Sequence, residues 1–196
     1  MNLERILFMG NSLTLHPPKE DIGWSGNWGM AASARENDYV HLVMKKIHTV
    51  NPDSQYDIRN ICDFELGYWE YDLNPLLQYH SFKASAIILQ IGENVDDSQV
   101  DTHNFLDHYQ ALVDYLSPDH TAQVICTNHF WNSPSARRVI ESAVSVNGYK
   151  LADISALGTD ARNMAGGLFP HKGVAHHPSD LGMKKIADCI LACLEL

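Results

Sequence analysis

The chain has 196 residues and a formal charge of −10 with its 11 histidines neutral. Hydrophobic residues make up 45% and charged residues 19%, the profile of a globular protein able to bury a full core without disulfides or a structural metal. The acidic balance argues against a nucleic-acid groove, which needs clustered Lys and Arg, and against adhesion to anionic membranes; no apolar run is long enough to cross a bilayer.

Met1 to Arg5 are polar and lead straight into an apolar run, so no signal peptide is read here, although a chain whose leader had been removed would look the same. Ile6-Leu7-Phe8-Met9 reads as a buried strand ending at Gly10. A helical segment starting near Met30 places Val40, Val43, Met44 and Ile47 on one face. Tyr56 to Cys62 is a second strand. Ala86 to Ile91 is the clearest strand and ends at Gly92. Phe105, Tyr109, Leu112 and Leu116 then mark a helix, and Gln123 to Thr127 a fourth strand. Val139, Ile140, Ala143 and Val144 mark the next helix, and Tyr149 to Ile154 a fifth strand. The last helix carries Met183, Ile186, Ile190 and Leu194 on one stripe behind a cap at Ser179. This alternation, without repeats or linkers, predicts one domain over residues 1–196, an α/β fold whose mostly parallel sheet is covered by helices on both faces. Cys62, Cys126, Cys189 and Cys193 form no CxxC pair. Cys189 and Cys193, one helical turn apart, read as buried core thiols, which favours a reducing, cytoplasmic location.

In such sheets the chemistry lies at the carboxyl ends of the strands. Gly10-Asn11-Ser12-Leu13-Thr14 follows the first strand. A serine on a tight strand-to-helix turn is exposed at the sheet edge beside backbone N–H groups; the same residues also suit a plain helix cap. Gly92-Glu93-Asn94 follows the third strand, where a side-chain amide can donate to a developing oxyanion or simply make a turn. His176-His177-Pro178-Ser179 precedes the last helix, a place for a general base or a polar loop. His171, His176 and His177 cluster, but no HExxH or CxxC completes a ligand set, so no metal is expected.

Order, spacing and strand context of the three motifs resemble the SGNH hydrolase family, which includes the GDSL lipases and esterases, over roughly Phe8 to Asp188. The resemblance implies a flavodoxin-like three-layer α/β/α sandwich with a five-stranded parallel sheet, and no cofactor. It implies Ser12 as nucleophile, His177 as base, and Ser12 N–H and Asn94 as oxyanion donors. The sequence departs from the family pattern in four places. Asn11 stands for the signature Asp, and Val95 for the Asp that ends the third block. The second-block glycine position, counted from Asn60, holds Glu65, with Gly67 two residues on as a substitute donor. The acid three residues before the histidine is replaced by Val174, so His177 is expected to lean on a backbone carbonyl at Val174 or Ala175, with Asp180 or Glu93 as competing acids.

Trp24, Trp28, Trp69 and Trp131 all fall in segments expected on the catalytic edge. They can pack the loops together or, jointly, wall a pocket suited to sugar rings. The reading is a serine esterase acting on small acyl esters, chiefly acetyl, of a carbohydrate, with neither nucleic-acid partner nor membrane insertion. The alternatives are a lipase or thioesterase on longer acyl chains, and a non-catalytic carbohydrate-binding protein that lost the acid.

Overall fold

The computed structural model describes residues 3–194. Five strands, β1 (Arg5–Gly10), β2 (Gln55–Asn60), β3 (Ala86–Gln90), β4 (Gln123–Thr127) and β5 (Lys150–Ala152), form one parallel sheet in the order β2-β1-β3-β4-β5. This is the doubly wound, flavodoxin-like order, whose switch point lies between β1 and β3. The central strands are buried on both faces, and their side chains alternate between two cores with the period of a strand. Leu7, Met9, Ile87 and Leu89 enter one core, while Ile6, Phe8, Ala86 and Ile88 enter the other.

The first core is closed by α2 (Cys62–Gly67), α3 (Gln78–Phe82), α4 (Phe105–Leu116) and α5 (Pro134–Asn147). The second is closed by α1 (Tyr39–His48) and α7 (Asp180–Cys193), which pack on each other. A single turn, α6 (Lys172–Ala175), precedes α7. The architecture is therefore the expected α/β/α sandwich.

The expected helix from Met30 starts only at Tyr39. Its apolar stripe is correct, but Ala31 adopts a positive φ of 72°, which an α-helix cannot contain. The helix instead begins behind Asp38, whose carboxylate accepts from His41 N at 2.8 Å. The second strand ends at Asn60 because Ile61 and Cys62 turn into α2, and the fifth is only three residues long. Ser179 caps α7 as expected, accepting from Gly182 N. All four cysteines are free thiols; Cys126 is buried, but Cys189 and Cys193 are half-buried rather than core residues, because α7 turns that side towards solvent. Among the described residues no helix is long and apolar enough to cross a membrane.

Candidate active site

The first loop is shaped by what cannot fit beside it. A Cβ on Gly10 would lie 1.8 Å from Thr14 Oγ1 and 2.8 Å from Gln90 O, so only glycine lets the chain turn here. Asn11 is fully buried, and its Oδ1 accepts from Leu13 N at 3.1 Å. Its carbonyl accepts from Thr14 N and Leu15 N, each at 3.0 Å. This tight turn carries Ser12 to the sheet edge. No helix follows it directly: the segment up to Asp38 is irregular, holding two short 3₁₀ turns, Glu20–Ile22 and Arg35–Asn37.

Across the edge, Ser12 Oγ lies 2.8 Å from His177 Nε2. On the far side of the ring, His177 Nδ1 lies 2.7 Å from the carbonyl oxygen of Gly173. A carbonyl can only accept, so Nδ1 carries the proton and Nε2 presents its lone pair to the serine hydroxyl. The carbonyl is available because α6 ends tightly. His177 N donates to Val174 O at 3.0 Å instead of reaching back to Gly173, which leaves the Gly173 oxygen without its helical partner. Burial pushes the His177 pKa down to about 4; the Gly173 carbonyl opposes this, and the neighbouring His16 and His176 add to it. The ring is therefore neutral at ordinary pH.

The acceptor is thus a backbone carbonyl, as expected, but of Gly173 rather than Val174 or Ala175. Val174 is fully buried beside Trp24, Met30, Ala31 and Ala165. Asp180 faces away from His177: its carboxylate accepts from Ser33 N (2.8 Å), Ser33 Oγ (2.6 Å) and Asn37 Nδ2 (3.1 Å), tying α7 to the segment before α1. Glu93 is also engaged elsewhere, accepting from Phe130 N at 2.7 Å and Trp131 N at 3.3 Å. Burial raises its pKa to about 8. Neither acid serves the imidazole.

Asn94 lines the same cavity as Ser12 and His177. Its Nδ2 donates to Glu65 Oε2 at 2.7 Å, which uses one amide hydrogen and leaves the other. Gly67 does not line this cavity. It closes α2, and the residues of this segment that reach the cavity are Asn60 and Cys62, because α2 starts with Cys62 at the sheet edge and carries Gly67 away. Cys62 N is held by Asn60 Oδ1 at 2.8 Å.

The cavity has a volume of about 320 Å³ and sets the apolar Ile22, Met30 and Val174 beside Ser12. The four tryptophans do not wall it. Trp24 is 3% exposed and packs edge-on against Trp28 and Phe169. Trp28 donates from Nε1 to Ala32 O at 3.0 Å and faces a separate groove with Tyr56 and Arg35. Trp69 stacks on His103 at 4.0 Å against the other core. Only Trp131 touches the pair: its ring stands edge-on to His177 at 5.2 Å and parallel to His176 at 5.7 Å. The loops that carry these residues diverge in space although each follows a strand. Sequence reasoning missed Gly173, which acts through its backbone and has no side-chain signal, and the central place of Glu65. Among the described residues no group of three or more His, Cys, Asp or Glu is placed to hold a metal ion.

No protein-family profile matches the sequence and no curated protein is detectably similar. Solved structures are similar in fold. A two-domain esterase active on acetylated mannans, crystallised with mannopentaose, aligns with a TM-score of 0.62 and 18% identity over 97% of this chain and 48% of its own. This chain thus spans about half of that esterase. The acetyl xylan esterase AlAXEase aligns with a TM-score of 0.61 and 19% identity over 97% of this chain and 99% of its own. A single-site variant of Axe2, an acetyl-xylooligosaccharide esterase from Geobacillus, aligns with a TM-score of 0.56 and 20% identity over 98% and 94% of the two chains. The chain has the α/β/α fold of the SGNH-type esterases, the class that the motif order resembles.

Proposed function

We propose that the chain is a serine esterase that removes small acyl groups, chiefly acetyl, from a carbohydrate through a Ser12–His177 dyad. The observation that carries this reading is the relay Ser12 Oγ, His177 Nε2, His177 Nδ1, Gly173 O, with contacts of 2.8 and 2.7 Å. His177 Nε2 takes the Ser12 proton as Oγ attacks the ester carbonyl. The oxyanion is met by the Ser12 N–H and the remaining Asn94 Nδ2 hydrogen. His177 then returns its proton to the departing alcohol. Water, activated by the same nitrogen, releases the acid and restores the serine. A neutral carbonyl orients the ring as a carboxylate would, but stabilises the imidazolium less, because charge-assisted hydrogen bonds are roughly twice as strong. A dyad of this kind turns over more slowly than a complete triad.

The acetyl preference is supported by the acetyl esterases among proteins of similar fold. The carbohydrate part is supported by the same similarity and by Trp131 standing beside His177, on which the alcohol portion of an ester can rest an apolar face. A protein that merely binds sugar has no need of a serine and a neutral histidine held in this register.

The test is covalent labelling. A fluorophosphonate probe should modify the wild-type chain at Ser12 and leave Ser12→Ala unmodified, and Ser12→Ala should lose hydrolysis of p-nitrophenyl acetate while staying folded. Full hydrolysis by purified Ser12→Ala would remove the proposal.

A further inference from the structure

Glu65 is the most unusual group near the dyad. It lies in α2, is 1% exposed, and its carboxylate gathers donors from the segments that follow two other strands. Oε1 accepts from Asn11 Nδ2 at 3.0 Å, from the backbone N–H of Gly92, and from Asn94 N at 3.5 Å. Oε2 accepts from Asn94 Nδ2 at 2.7 Å. One side chain thus holds the turn before Ser12, the turn after β3, and the amide that faces the cavity.

The orientation of Asn11 follows from its other end. Its Oδ1 is taken by Leu13 N, so its Nδ2 is the atom that meets Glu65. Every partner of Glu65 here is an N–H donor, and both oxygens must accept. A carboxylate does this; an amide in its place turns one NH₂ onto a donor and leaves a buried clash of hydrogens. A carboxylate at position 11 would put two acids about 3 Å apart, where both cannot be ionised without a large penalty.

We propose that Asn11 and Glu65 are a coupled positioning pair: Glu65 aims the Asn94 amide at the oxyanion, and Asn11 supplies the N–H that lets a buried carboxylate sit at this spot. The pair explains the departure of Asn11 from the Asp of the signature it resembles, since an ionised Asp there would repel the Glu65 carboxylate. The inference rests on the esterase reading, in which Asn94 is an oxyanion donor.

The test is a double-mutant cycle on turnover of p-nitrophenyl acetate, with Asn11→Asp, Glu65→Gln and the two together, each checked for folding by circular dichroism. Asn11→Asp alone should lower kcat by roughly tenfold or more, in the range found for coupled neighbours, with KM changed by less than about twofold. In the Glu65→Gln background the same change should cost less than about threefold, because only one acid remains. The deficit of Asn11→Asp should also shrink as pH falls, since a proton shared between the two acids restores a hydrogen bond. A purely structural role gives no such pH dependence. Should Asn11→Asp fail to fold, Asn11→Ala removes the donor without adding charge. It should lower kcat with KM changed by less than about twofold, the loss depending on pH because the buried Glu65 carboxylate loses a donor that favours its ionised form, and wild-type turnover in Asn11→Ala would overturn the pair. Equal costs of Asn11→Asp in both backgrounds, with Ser12→Ala inactive, overturn this inference alone. Hydrolysis surviving in Ser12→Ala overturns the esterase reading and this inference with it.

Discussion

His177 Nδ1 and the Gly173 carbonyl, 2.7 Å apart, stand where a serine–histidine pair ordinarily has a carboxylate. The acceptor is a helix-end carbonyl freed by one i→i+3 bond, so it needs no acidic side chain. Putting an acid back at position 174 should therefore not build a triad. Val174 is fully buried among Trp24, Met30 and Ala165, and Nδ1 is already occupied. Val174→Asp should lower stability by roughly 1–3 kcal/mol or more by burying a polar group without a partner, and should not raise kcat. Thermal melting and p-nitrophenyl acetate kinetics report both; a rise in kcat would contradict the placement. Asp180→Asn should keep kcat within about threefold, since Asp180 holds Ser33 and Asn37 rather than the imidazole.

The pH profile follows from the buried ring. Burial depresses the His177 pKa to about 4, so the base stays deprotonated well below neutrality. The acid limb of kcat/KM, which reports the free enzyme, should fall with a midpoint near that value and leave activity at about pH 5.5 almost intact. For folding the sign is the same: the chain loses stability as pH drops from the ordinary histidine value of 6.5 through about 4, because the unfolded state takes up the proton first. A midpoint at the ordinary value would show that the ring is solvated in the working enzyme.

The proposed role of Asn94 as an oxyanion donor predicts a kcat effect with little change in KM. Asn94→Ala should lower kcat by roughly 10²–10³-fold, the cost of one donor. The loss should appear equally on acetate and butyrate esters, because the amide meets the carbonyl oxygen and not the acyl chain. A KM-only effect would place Asn94 outside the hole.

Trp131 separates the two sides of the ester. Trp131→Ala should raise KM for an acetylated oligosaccharide by roughly tenfold, about the worth of one aromatic contact, and leave KM for p-nitrophenyl acetate within about twofold. The proposed acetyl preference predicts that p-nitrophenyl acetate is cleaved faster than esters of about eight carbons, a chain length chosen for the comparison. A preference for the long chains would favour a lipase or thioesterase.

Glu93 should make stability fall with rising pH. Burial lifts its pKa from the ordinary 4.5 to about 8, with the Phe130 and Trp131 N–H groups opposing and the Glu65 carboxylate adding. The folded chain therefore holds a proton that the unfolded chain has released between those two values. The stabilising contribution is complete below pH 4.5 and is lost as pH rises through about 8. Urea unfolding of the wild type should lose on the order of a few kcal/mol between pH 5 and 9, and Glu93→Gln should flatten that slope.

Some of this was legible in residue order alone. The layers were, because Ile6–Met9 and Ala86–Ile91 are apolar runs with strand character and the helices between them carry stripes at helical spacing. The placing of Ser12, Asn94 and His177 at one sheet edge was also legible, since each follows a strand or precedes the last helix, and a doubly wound sheet brings those ends together. The start of α1 was not, because the left-handed backbone at Ala31 leaves no mark in composition. Nor was the spread of the tryptophans, whose loops leave the same edge in different directions. The two features that shape the proposed chemistry most belong to tertiary structure. Gly173 acts through a carbonyl that every residue possesses, so no side chain announces it. Glu65 gains its importance from Asn11, Gly92 and Asn94, residues up to 54 positions away, because buried donors and acceptors must be matched in space and not along the chain.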